Sequence, residues 1–373
     1  MTDQLPPKYY IMQPESATEQ KLQLGKEYPG TNEIKVAEDI VQMLKDQMLR
    51  MYPPGSGKKQ LRQVHPKMNG CVKAQFIVDP DLAPELKVGL FKEAKSYPAW
   101  IRFSNGETKF LPDKKKDFRG FALKIMNVPG KKLDPTDPDI PVHDFVLMNA
   151  TTFFPDNIYQ FKKILAVLVT PNTISSVPGK LWTGITNLPA VLRAVKGKIN
   201  IENPVGISYH STTPYRFGDG SKAGKYEVRP TTAKEHVLSP DLSSYNFLRA
   251  NLAATLKEHE VTYDFGIHFQ TDPVKMPIEN TSVEWNSEFV KLATIRIPEQ
   301  VFDTDERNEF GDNLAFNTWH CLAEHRPLGA VNRIRKIIYE EMYEFRHKSN
   351  NIEDIQPTAG PDFFNDTKFS QHG

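Results

Sequence analysis

Cysteine is nearly absent from this chain: Cys71 and Cys321 are the two among 373 residues. That excludes a disulfide framework and any thiolate cluster for zinc or iron–sulfur, and both cysteines read as small buried hydrophobes. Charge of one sign is missing too, since 47 basic and 46 acidic residues leave a formal net charge of +1. A dedicated nucleic-acid binder carries a clear basic excess, so none is expected as a partner. No apolar run reaches membrane-spanning length. The segment Met1–Pro7 has no basic region followed by an apolar core, and Ser370–Gly373 is not a peroxisomal address. A cytoplasmic setting is the expectation. A Gly-x-Gly-x-x-Gly loop, an internal repeat and a low-complexity tract are all lacking.

What is present divides into three stretches. Residues 1–55 read as a polar arm followed by a helix over 35–51, where Val36, Ile40, Val41, Leu44 and Met48 recur at helical spacing. Pro53-Pro54-Gly55 stops it. Residues 56–349 mix strand patterns at 72–78, 99–103, 121–128, 143–149, 207–211, 225–228, 261–270 and 291–297 with helices at 157–169 and 189–196. A final helix is predicted at about 329–347. Residues 350–373 read as a docking or mobile tail. Many antiparallel strands with a helical excursion predict an α+β fold, a closed barrel with flanking helices.

On the last helix Arg335 and Tyr339 stand one turn apart, and Arg346 falls two turns beyond on the same stripe. A tyrosine titrates near pKa ~10, so keeping it ionised at neutral pH takes roughly 4 kcal/mol. A bound ferric iron supplies most of that, and an adjacent guanidinium adds to it.

Four further segments join this pair in order: Arg62-Gln63-Val64-His65, Arg102-Phe103-Ser104, Asp117-Phe118-Arg119-Gly120-Phe121-Ala122-Leu123-Lys124, and Asn149-Ala150-Thr151-Thr152-Phe153-Phe154. Together they resemble haem catalases, with threonine at 151 where the family often has proline. The segments at 214–218 and 270–277 look closer to the short catalase-related haem proteins, in the superfamily that also holds catalase-related allene oxide synthases. The resemblance spans about 62–346, and the chain stops soon after the tyrosine helix, which fits a minimal unit. It implies a catalase-like barrel whose C-terminal helix carries the proximal tyrosine, with haem b bound.

The implied site is assigned residue by residue. Tyr339 is the iron ligand, with Arg335 beside it. His65 carries a proton between the peroxide oxygens, since a neutral imidazole suits both directions near pH 7. Ser104 orients His65 through its other nitrogen, and Asn149 offers a neutral donor to the bound peroxide. Arg62, Arg102 and Arg346 would pair the two haem propionates, and Phe153 and Phe154 would wall the pocket. Val64 matches the residue that classical catalases carry beside the histidine. His320, Cys321, Glu324 and His325 look like a metal cluster, but their spacing fits no zinc signature and they read as scaffold.

Three functions are compatible with these residues. The first is cleavage of hydrogen peroxide or peroxide-dependent oxidation, towards which Val64 leans. The second is rearrangement of fatty-acid hydroperoxides to allene oxides or epoxy alcohols. It draws on the apolar segment 163–196, which could line a greasy channel, lie on a membrane surface in peripheral contact, or be core. A haem or lipid carrier without turnover comes last, because a carrier needs no distal acid–base pair. A homo-oligomer is expected from the resemblance.

Overall fold

The computed structural model of the protein describes residues 22–134, 136–171, 176–352 and 357–370. Residues 1–21, most of the expected arm, lie outside the described residues. Eight antiparallel strands close into a barrel. In ring order they are β1 (Met68–Val78), β2 (Ser96–Asn105), β3 (Arg119–Met126), β4 (Val142–Met148), β5 (Tyr209–His210), β7 (Lys222–Pro230), β8 (Val261–Phe269) and β9 (Phe289–Ile297). β9 pairs back onto β1, and β6 (Tyr215–Phe217) hangs on β7. The two-residue β5 is the closing piece, bridging Met148 on one side and Val228 on the other.

Strand alternation decides what faces inward. Ile101 and Phe103 on β2, Phe121 and Leu123 on β3, and Phe145 and Leu147 on β4 fill the interior with Phe76, Tyr209, Tyr226, Tyr263 and Phe265. Their rings meet edge-on or tilted, as Phe103–Phe121 does at 5.2 Å and Phe145–Tyr226 at 4.8 Å. The alternate residues Arg102, Ser104, Gly120 and Lys124 belong to the outer face. Helices and loops cover that face, so β1–β4 are buried on both sides. Met68, Cys71, Trp100 and Val142 pack there under Phe310 and Leu314.

A separate apolar cluster joins α1 (Glu33–Met51), α2 (Ile158–Val169) and α7 (Ala330–Asn350) through Val36, Ile40, Leu44, Leu165, Ile334 and Ile337. The start of α7 is held electrostatically. Glu27 and Glu279 accept from the Gly329 and Ala330 backbone N–H groups at 2.8 Å, where the helix dipole favours anions. Arg333, buried on the same helix, pairs with Glu27, Glu33 and Glu279 at 2.6–2.8 Å.

Three helices fall where sequence periodicity named none. They are α3 (Val177–Thr186), α5 (Phe247–Glu258) and α6 (Asp305–Asn313). α5 buries Phe247, Leu248, Leu252 and Leu256, a helical repeat that was legible. α6 is short and polar, and its signal is the Thr304 cap accepting from the Arg307 N–H, with Asp305 and Glu306 in the first turn. α4 (Leu188–Gly197) takes the place of the expected 189–196 helix. The described part of the tail docks: Thr367–Lys368 pairs with Glu299–Gln300, and Phe363 stacks edge-on to Trp100 at 5.2 Å.

Candidate active site on the barrel's outer face

His65 precedes β1 with a left-handed backbone, φ 61°. For a residue with a Cβ that conformation costs on the order of 1 kcal/mol or more and persists only when its surroundings impose it. Here the imposition is visible. His65 Nδ1 lies 3.0 Å from Ser104 Oγ, and Ser104 faces Gly120 across the β2–β3 ladder. A Cβ at Gly120 would stand 2.6 Å from His65 Nδ1 and 2.7 Å from Ser104 Oγ. The imidazole is seated on a glycine because no other residue leaves it room. Burial, and then the charges of Arg102, Arg62 and Arg335, push its pKa down to about 3, so it is neutral at pH 7.

Asn149 follows the end of β4, one residue past the row Ser104–Gly120–Met148. Its Oδ1 accepts from the Arg119 N–H at 2.7 Å, and its backbone N–H returns to the Arg119 carbonyl at 3.0 Å. Its amide nitrogen donates to the Gly197 carbonyl at 2.8 Å. One amide hydrogen is thereby committed to the chain and one remains to be offered. Arg119 itself is buried and donates to Asn105 Oδ1 at 2.6 Å.

Arg62, Arg102 and Arg346, distant in sequence, converge on the C-terminal end of α6. Arg62 donates to the Gly311 and Asp312 carbonyls at 3.3 and 2.8 Å and to that of Leu314. Arg102 donates to Gly311 O at 3.2 Å, and its guanidinium is 3.6 Å from the Asp312 carboxylate. Arg346 donates to Asp312 O at 2.6 Å. Burial pushes all three pKa values down, that of Arg346 to about 10, and each feels a neighbouring arginine. Asp312 is the carboxylate that acts on all three. Three guanidinium groups against one carboxylate leave two positive charges in excess. That excess suits a doubly anionic group such as a pair of propionates.

Arg335 is held by Thr213 Oγ1 at 3.2 Å and Asn332 Oδ1 at 3.3 Å, and it lies over the Phe153 ring at 5.6 Å. Tyr339, half-buried one turn later, packs with Phe153 and Phe161 against the α1–α2–α7 cluster. Phe153 meets Phe154 at 4.9 Å, and Phe154 stacks near Phe118 at 6.4 Å. Val64 is 42% exposed beside His65. Arg335 acts on both Tyr215, a neighbour of Tyr339, and His65. Through it the tyrosine helix and the histidine loop belong to one neighbourhood.

The His320–His325 stretch is divided. His320 bridges Asp134 at 2.9 Å and Asp144 at 3.0 Å, beside the buried pair Lys124–Asp144. His325 instead lies between the Leu90 N–H and the Tyr226 hydroxyl. Among the described residues, no group of three or more His, Cys, Asp and Glu side chains is arranged to hold a metal.

As a whole the fold is similar to that of solved catalases. A fungal catalase matches with TM-score 0.62 and 13% identity, over 89% of this chain and 67% of that one. The fold is catalase-like. Catalase A from Saccharomyces cerevisiae gives 0.60 and 15%, over 95% and 70% of the two chains. A bacterial catalase gives 0.58 and 13%, over 92% and 71%. No protein-family model and no curated protein matches the chain.

Gly120, the α6 terminus at Gly311–Leu314 and the Thr213–Asn332 clamp were not assigned roles from the sequence. Gly120 had a signal, since it stands inside a quoted motif. The α6 carbonyls had none, because backbone acceptors carry no side-chain signature.

Proposed function

We propose that this protein is a haem-dependent, peroxide-cleaving oxidoreductase. The observation that carries the reading is one neighbourhood with three parts: a neutral His65 seated on Gly120, a triple-arginine cluster with two charges in excess, and the Arg335–Tyr339 pair. The donor set fits haem b. The Tyr339 phenolate would ligate the iron, Arg335 would favour the ionised phenolate, and Arg62, Arg102 and Arg346 would receive the propionates. Phe153 and Phe154 would wall the ring, with Val64 beside His65. When bound, a tyrosinate-ligated haem supplies the iron at which a peroxide bond breaks.

The chain's own residues would manage the proton. With Nδ1 engaged by Ser104, the Nε2 nitrogen of His65 is free to take the proton from one peroxide oxygen and return it to the other. With haem bound, two hydrogen peroxide molecules would give two waters and one dioxygen, the second peroxide acting as the two-electron reductant. An organic hydroperoxide would give its alcohol at the expense of a two-electron reductant. Ser104 is a positioning residue, while Asn149 would direct its remaining amide hydrogen to the peroxide.

One observation favours the second reading, rearrangement of a fatty-acid hydroperoxide. The apolar helix α4, which continues from α3, adjoins the site, with the Gly197 carbonyl at its end accepting from Asn149. The two readings separate in one experiment: haem-loaded protein is given hydrogen peroxide or a fatty-acid hydroperoxide. Rapid oxygen release from the first supports a catalase. Consumption of the second without oxygen release supports the rearranging enzyme. Haem-loaded protein that consumes neither overturns both.

A further inference from the structure

We propose that the successive helices α3 and α4 dock on the surface of an anionic lipid bilayer. The inference is independent of which peroxide is cleaved. α3 buries none of its residues and α4 only Ala190. Their outer stripes, Val177–Leu181–Ile185 and Leu188–Leu192–Val195, recur at helical spacing and are exposed, with Trp182 at 68% and Leu181 at 64% the extremes. A soluble surface rarely gathers so many large apolar side chains in one place.

Charge selects the occupant. From Asn157 to Ile201 there is no Asp or Glu, while Lys162, Lys163, Lys180, Arg193, Lys196 and Lys198 stand in the same stretch. Three of these six pair with carboxylates elsewhere: Lys162 with Asp39, Arg193 with Asp156, and Lys198 with Glu107. The stretch thus carries six positive charges and no negative one, with Lys163 and Lys196 beyond these three pairs. A second copy seated on the same patch would bring like charges together across a two-fold axis. An anionic headgroup layer instead pairs the lysines while the acyl boundary receives Trp182, Leu181 and Leu192. Ten-residue helices of roughly 15 Å suit lying in that interface and cannot cross it. Among the described residues no helix is long and apolar enough to cross a membrane. The inner edge is anchored: Arg193 Nε donates to the Phe154 carbonyl at 2.8 Å, and Gly197 is packed against Phe118. Once docked, α4 would hold the Asn149 side of the site against the lipid.

The test is sedimentation of the full-length protein with vesicles of phosphatidylcholine alone or mixed equally with phosphatidylglycerol. We expect binding to the mixed vesicles that weakens with salt. Leu181→Ser with Trp182→Ser should cut it at least about tenfold, and Lys196→Glu about fivefold. Trp100, Trp285 and Trp319 are buried, so a vesicle-induced blue shift in emission should vanish in Trp182→Phe. The double-serine variant should keep its urea midpoint and haem content. Equal sedimentation of that variant and the parent overturns the proposal. So does a concentration-dependent dimer that the variant abolishes in the absence of vesicle binding, which would assign the patch to self-association.

Discussion

At the scale of single residues, the site turns on His65 and the one glycine that leaves room for it. Gly120→Ala would drive a methyl into both His65 Nδ1 and Ser104 Oγ. The expected result is peroxide cleavage reduced at least about tenfold while haem is retained, since displacement of a catalytic group by about 1 Å costs much of its effect. A crystal structure or histidine NMR of the variant would locate the displaced ring, and full activity with an unmoved ring would refute the account. His65→Ala should bind haem yet lose about 100-fold or more in turnover, the scale of a positioned proton carrier. Tyr339→Phe removes the hydroxyl proposed to ligate the iron. Its haem content and visible spectrum should change sharply, and a parental spectrum would sink the ligand assignment.

At the scale of elements, α7 is positioned by charge as much as by apolar packing. Arg333 is nearly enclosed, and Glu27, Glu33 and Glu279 surround it. The carboxylate partners outweigh the effect of burial and hold its pKa above the ordinary value. Arg333→Ala leaves the buried Glu33 carboxylate without a counter-ion, while Glu27 keeps Arg326. Stranding one buried charge typically costs about 3–5 kcal/mol. Chemical denaturation should show that loss, and haem retention should fall with it because Arg335 and Tyr339 ride on the same helix. A variant with parental stability would mean that the α1–α7 apolar cluster alone fixes the helix. α6 works differently. It brings three arginines together through its C-terminal carbonyls, the negative end of the helix dipole.

At the scale of the whole molecule, buried histidines set the response to acid. Burial pushes His65 and His325 down to about 3, and it also lowers His143 and His210. His268 and His320 shift the other way through their carboxylate partners. A lowered histidine stays neutral in the fold while the unfolded chain takes up a proton as pH falls through about 6.5. Its contribution is therefore whole above that pH and is lost progressively towards the folded value. A raised histidine contributes below its unfolded pKa and loses that contribution as pH rises. Among the described residues, the lowered histidines outnumber the raised ones four to two, which predicts net destabilisation on acidification from pH ~7 to ~5. Urea midpoints at the two pH values measure it, and a midpoint that rises on acidification would contradict the prediction.

Local patterns determined much of this protein. The α+β class, the long strands and the tyrosine helix follow from period-2 and period-3.6 repeats, which are properties of neighbouring residues. The motif segments around His65, Ser104, Asn149 and Tyr339 marked the candidate site. Tertiary structure alone decided the rest. β5 is two residues long and has no pattern of its own, yet it closes the barrel because Met148 and Val228 present free edges to it. The convergence of Arg62, Arg102 and Arg346 depends on backbone carbonyls more than 200 residues from the first two. Segment 163–196 read more readily as core than as channel or membrane face. Only packing distinguishes these, because an apolar stripe reveals its partner through what the fold leaves uncovered.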